Sequence, residues 1–198
     1  MSGRDAAFHF SNALRYRHAD HPDQVHLTPS YVLIPVRADL GGDIGLDPCT
    51  SEDNPVGAAR FYTATDDGLA QPWSGPGWTP SVFANPPYGK AREPWVARCV
   101  DAGRRGQAVV LLMPAATDTR TFQAAAGSAD AVVFVRGRLK FGTLRPNRRQ
   151  AAASHPSALI GWNTALTAAA GLGLHMAAAG KASPRLWQGY LFGSGGAA

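Results

Sequence analysis

The feature that most constrains this chain is Ala108–Met113, a run of six residues without a polar side chain. A strand that is apolar at every position must be buried on both faces, as the central strands of a parallel sheet are. Around this run, short apolar segments alternate with helical patterns, the order that βαβ architecture requires. Ile44–Leu46 leads into Asp47, Arg60–Thr63 reads as a second short strand, and Ser81–Ala84 ends abruptly at Asn85. Glu93–Gly103 is predicted to be a helix with Trp95, Val96, Cys99 and Val100 on one face. Ala131–Val135 and Ser157–Trp162 are further predicted strands, separated by the basic segment Arg136–His155. Upstream, Thr28-Pro29 predicts a helix start with Thr28 as cap and Pro29 in the first turn. Val32, Leu33, Val36 and Leu40 would be its apolar positions, Pro35 should bend or shorten it, and Gly41-Gly42 should end it. With 198 residues, no internal repeat and no linker, the expectation is one α/β sheet domain.

Open α/β sheets bind ligands outside the carboxyl ends of their strands. Asp47 and Asn85 both stand at predicted strand ends, so they should share one rim. Asn85-Pro86-Pro87-Tyr88-Gly89 follows its strand directly. Two prolines fix φ and remove two donors, so the loop offers acceptors: the amide oxygen of Asn85 and the carbonyl of Pro86. Two adjacent acceptors match the two hydrogens of an NH2 group, and Tyr88 adds a flat face for a planar substrate. The plain alternative is a rigid proline turn closing a strand.

Charge supplies an independent signal. All 14 Asp and Glu residues lie at or before Asp130; beyond it come 8 Lys and Arg and no acid. A basic block on an otherwise mildly acidic chain is the footprint of a polyanion partner, or else a solvated face. Met1–Phe10 has no apolar core and does not read as a secretory signal, and Ala168–Ala179, broken by His175, is a poor membrane span. Cys49 and Cys99 form neither a disulfide framework nor a zinc pair, and His9, His18, His21 and His26 fit no metal motif. The expectation is an intracellular protein with no metal and no membrane anchor.

The residues resemble a family. Asn-Pro-Pro-Tyr is similar to the catalytic motif of methyltransferases that use S-adenosylmethionine to methylate planar NH2 nitrogens. The wider pattern looks like the phage-type DNA N6-adenine methyltransferases. It comprises Thr28-Pro29, Leu46-Asp47-Pro48-Cys49 with Asn54, Tyr62-Thr63, Asp66-Asp67-Gly68-Leu69, Trp73, and Asn85–Gly89. Leu112–Pro114, Asp118-Thr119, Gly137-Arg138-Leu139-Lys140-Phe141 and His155-Pro156-Ser157-Ala158 continue it.

The resemblance implies a three-layer, Rossmann-like methyltransferase domain at residues 28–180 with a mostly parallel sheet of about seven strands. A polar extension (1–27) would precede it and a tail (181–198) would follow. Asn85, Pro86, Pro87 and Tyr88 would form the catalytic loop. Asp47 and Pro48 would lie near the methionine end of S-adenosylmethionine, with Thr28 and Pro29 flanking that moiety. Asp67, Gly68 and Leu69 would meet its adenine. The usual glycines after the acid are replaced here by Cys49–Asn54, which leaves Asp53 or Asn54 as candidates to take over their contacts. The implied location is the cytoplasm of a bacterial cell, with phage or prophage origin and a restriction–modification role among the options.

Double-stranded DNA would be the partner, held through Arg138, Lys140, Arg145, Arg148 and Arg149. A chain this short has no separate recognition domain, so a loop at about residues 142–155 should contact the target. It follows a strand expected at the sheet's edge. Arginines hold phosphates or read guanine, and at least one of Arg145, Arg148 and Arg149 is expected to read a base. Two other readings remain: a methyltransferase acting on a protein glutamine or on RNA, and a catalytically silent DNA-binding relative.

Overall fold

The computed structural model describes residues 27–88, 91–142 and 152–178. In chain order these form α1 (Ser30–Asp39), β1 (Leu46–Asp47), β2 (Arg60–Phe61), β3 (Val82–Ala84), α2 (Arg92–Arg104), β4 (Val109–Pro114), α3 (Arg120–Ser128), β5 (Ala131–Val135), β6 (Ser157–Trp162), a 3-10 turn (Ala169–Leu172) and β7 (Gly173–Ala177). The strands build one sheet in the order β2-β1-β3-β4-β6-β5-β7. β2, β1, β3 and β4 pair in parallel. β6 runs antiparallel to β4 and to β5, and β7 antiparallel to β5. Five strands thus share one direction while β6 and β7 oppose it, so the sheet is mixed.

The apolar run at β4 behaves as its composition demands. Val110 and Leu112 point into a core with Val32, Leu33 and Val36 of α1, whereas Val109, Leu111 and Met113 join Trp95, Val96 and Cys99 of α2 on the other face. This alternation places helices on both sides of the sheet. At Gly103 of α2, a Cβ would stand 2.5 Å from the Trp162 side chain, so glycine is what lets helix and sheet approach this closely.

Several expectations need correction. Helix α1 ends at Asp39 with Leu40 as its C-cap, just ahead of Gly41-Gly42 as expected, but Pro35 inside it does not shorten it. Pro29, not Thr28, occupies its N-cap, and no side chain caps the helix. The Thr28 hydroxyl accepts instead from the Asn85 side chain. Helix α3 was not expected; it is short and buries only Phe122 and Ala125, with Thr119 accepting from the Phe122 N–H as its cap. Nor was β7, whose Gly, His and Ala residues have weak strand preference. Its ladder with β5 comes from tertiary placement, because Asp39 at the end of α1 accepts from the N–H groups of Ala168 and Ala169 just ahead of it. β7 takes the edge that β5 was expected to hold.

No helix among the described residues is long and apolar enough to cross a membrane.

Candidate functional site

The strand order reverses beside β1: β2 lies on one side of it and β3, followed by β4, on the other. Two parallel strands whose connections leave in opposite directions open a crevice at their carboxyl ends. Asp47 is the last residue of β1, and Asn85 directly follows the last residue of β3. The pairing of Leu46 with Val82 puts both at the same end of the sheet, Asn85 two residues further along than Asp47. The Cys49 thiol reaches the backbone of Asn85, joining the two loops directly.

Asp47 is only 3% exposed. Its carboxylate accepts the Cys49 N–H at 3.1 Å, and the Thr50 side chain adds a further bond. Desolvation outweighs these hydrogen bonds and pushes the Asp47 carboxyl up to about 7. Burial, with the neighbouring Asp47 charge, likewise holds the Cys49 thiol well above the ordinary thiol range. A buried acid of this kind ionises readily once a cationic group stands beside it.

The segment bearing Asp67 is laid against the chain just after β1. A Cβ on Gly68 would stand 1.9 Å from the Pro48 carbonyl oxygen, so only glycine allows this approach. The Trp73 indole N–H donates to the Gly68 carbonyl at 2.8 Å and anchors the segment from within the core. Asp67 itself is exposed, with φ +55° in the left-handed region. Asp66 accepts from both the N–H and the hydroxyl of Thr63 at 2.8 Å, which lowers its pKa and closes the turn. Leu69 packs on the α2 side of the core. Asp47, Pro48 and Gly68 are therefore brought together, with Asp67 next to them. Of the two residues expected to replace the missing glycines, Asn54 uses both ends of its side-chain amide on Ala58 within its own loop, and Asp53 is exposed.

The Asn85 loop is held from two sides. The Asn85 amide nitrogen donates to Thr28 Oγ1 at 3.0 Å, which orients the amide plane. Pro86 and Pro87 are buried; lacking N–H groups, they bring no donor that the interior must satisfy. Tyr88 meets Phe141 edge to face, with ring centroids 6.0 Å apart and planes at 85°. Burial raises the Tyr88 phenol pKa, against the opposing influence of Ser157 and Arg92 beside it.

Phe141 was part of the sequence pattern without a role, and the structure sets it, 5% exposed, against the tyrosine of the loop. An aromatic residue directly after Lys140 in the basic block was the available signal. The Thr28–Asn85 bond joins residues 57 positions apart and had no local signal at all.

Arg138 and Lys140 are exposed on a strip that pairs with the chain near Ala152. Arg138 donates to the carbonyls of Ala153 and Ser154, and the Leu139 carbonyl accepts the Ala153 N–H at 2.7 Å. Gly142 exchanges backbone hydrogen bonds with Leu27, tying the strip to the start of α1. Arg145, Arg148 and Arg149 lie outside the described residues, as does Gly89. Among the described residues no group of three or more His, Cys, Asp or Glu could hold a metal ion.

No individually curated protein matches the chain. A model of a protein family, described as DNA N-6-adenine-methyltransferase (Dam), matches residues 18–171. That span takes in α1, the whole sheet up to the turn before β7, and each loop of the rim just described. The chain therefore belongs to the DNA N-6-adenine-methyltransferase (Dam) family.

Proposed function

We propose that this protein transfers a methyl group from S-adenosylmethionine to the N6 amino group of adenine in double-stranded DNA, with the base flipped into the Asn85–Tyr88 loop. The observation that carries this reading is the oriented Asn85 amide at the strand reversal, bonded to Thr28 and neighboured by the Tyr88–Phe141 pair.

The residues present fit the cofactor. Asp47 is a desolvated carboxylate suited to a cationic group such as the methionine ammonium. Pro48, Asp67 and Gly68 converge beside it, where the resemblance assigns the rest of the molecule. Thr28 and Pro29, at the α1 start, would flank the methionine end. When bound, the cofactor supplies an activated methyl group, so the protein's task is alignment.

Asn85 and Pro86 perform it by accepting the two hydrogens of the adenine amino group. Those bonds favour the pyramidal attacking geometry of nitrogen and strengthen as positive charge develops there, so they act on the transition state more than on the ground state. Tyr88, held edge to face by the buried Phe141, offers the ring face on which an extruded base stacks. That stacking offsets part of the few kcal/mol needed to flip the base. Arg138 and Lys140 hold the phosphate backbone near the site. Arg145, Arg148 and Arg149 follow in the same basic segment of the sequence; at least one of them reads a base edge and the others hold backbone.

The testing experiment offers labelled cofactor with DNA, RNA or a glutamine-containing protein. Label in DNA at adenine N6 is the expected result. Label in RNA or protein instead would assign the loop to another amino group, and no label anywhere would leave a DNA-binding relative without catalysis.

A further inference from the structure

A cleft of about 500 Å³ opens beside the Thr28–Asn85 bond, between the start of α1 and the strip Arg138–Gly142. Thr28, Pro29, Ser30 and Tyr31 line one wall, the first two being the pair assigned above to flank the cofactor; Arg138 and Lys140 line the other. Tyr31 is 51% exposed, and Ile34, one turn further along α1, is 68% exposed. An aromatic ring left half open to water on the wall of a cleft costs apolar exposure that the fold itself does not need, since α1 already packs through Val32, Leu33 and Val36. Opposite it stand two exposed cations. Among the described residues neither makes an ion pair, and Arg138 is steadied by donating to the Ala153 and Ser154 carbonyls.

An aromatic face opposite paired cations, in a space large enough for one nucleotide, is the combination that binds a base by stacking and its phosphate by charge. The cleft adjoins Asn85 through Thr28, so whatever occupies it is next to the group held by Asn85. We infer that it receives the nucleotide adjacent to the flipped adenine: Tyr31 stacks on the neighbouring base, while Lys140 and Arg138 hold the phosphate that joins it to the target. This rests on the DNA-methylation reading. A small charged ligand would account for the cations, but not for an open aromatic wall that continues outward to Ile34.

The test begins by finding the methylated site in a randomised duplex library with the unaltered protein. Duplexes of that site then carry 2-aminopurine either at the target adenine or at the position on one side of it. With the unaltered protein the target probe should brighten as it leaves the stack, and a probe at one flanking position should be quenched. Tyr31→Ala should keep the target signal and lose the flanking quench. It should also raise the KM for DNA by about fivefold or more, with the effect on KM rather than kcat. Tyr31→Phe should restore the quench. Lys140→Gln should reduce the salt dependence of DNA binding by about one counterion.

Three results overturn or redirect the reading. Target brightening without any flanking response to Tyr31 defeats the cleft assignment while DNA methylation stands. Weaker S-adenosylmethionine binding in Tyr31→Ala and Lys140→Gln, with DNA binding unchanged, gives the cleft to the cofactor and likewise overturns it. A library that yields no methylated DNA defeats the underlying function instead.

Discussion

Asp47 offers the sharpest test of how the rim is built. Its carboxyl titrates near 7 in the folded protein, against an ordinary 3.8. Because the folded value is the higher, the native state holds its proton more tightly than the unfolded chain does. The resulting stability is fully present below about pH 4 and is lost as pH rises through about 7. The full gap of roughly three pH units corresponds to about 4 kcal/mol.

Asp47→Asn keeps the shape and an oxygen for the Cys49 N–H but cannot ionise. The stability of the variant relative to the parent should therefore climb by roughly 2–3 kcal/mol between about pH 5 and about pH 8. Urea unfolding of both proteins at several pH values across that range measures it. A stability difference that stays flat with pH would refute the desolvated carboxylate, whatever the absolute values.

The same carboxyl should report on ligand binding. If the cofactor's cationic end sits beside Asp47, binding near about pH 6 should release close to one proton, seen as a dependence of calorimetric enthalpy on buffer ionisation enthalpy; no release would place the cation elsewhere. Asn85→Ala should abolish methyl transfer while cofactor affinity stays within about twofold. Thr28→Val, which removes the bond that orients the amide, should lower kcat by roughly tenfold, the worth of about one hydrogen bond; normal turnover in either variant would contradict the proposed mechanism. Gly68→Ala sets a methyl group against the Pro48 carbonyl. It should cost roughly 1–3 kcal/mol in denaturant unfolding and weaken cofactor binding with it, and an unchanged midpoint would show that the segment can shift freely.

Much of the central sheet was legible because each strand's pattern is set by its own residues. Ala131–Val135 and Ser157–Trp162 appear with the expected ends, and Ala108–Met113 shifts by one residue to Val109–Pro114. The Asn85 loop and the acid at the end of β1 were equally visible, since a strand's carboxyl end is a position in sequence as much as in space. Elements with weak local preference were not. Helix α3 buries two side chains, and β7 is a strand by virtue of its ladder with β5 and the cap that Asp39 places before it.

The site divides along the same line. Sequence alone determined which groups stand at the strand ends: Asp47, Asn85, the two prolines and Tyr88, together with a carboxyl-terminal third free of acids. Only the tertiary structure decided what those groups experience. The pairing of β1 with β3 brings Asp47 and Asn85 to one end of the sheet, and burial raises the Asp47 pKa to about 7. Thr28, which reads locally as a helix cap, instead accepts the Asn85 amide N–H at its hydroxyl, leaving Pro29 as the N-cap. A capping preference is decided within a few residues of chain, whereas a hydrogen bond across 57 positions exists only once the sheet has closed.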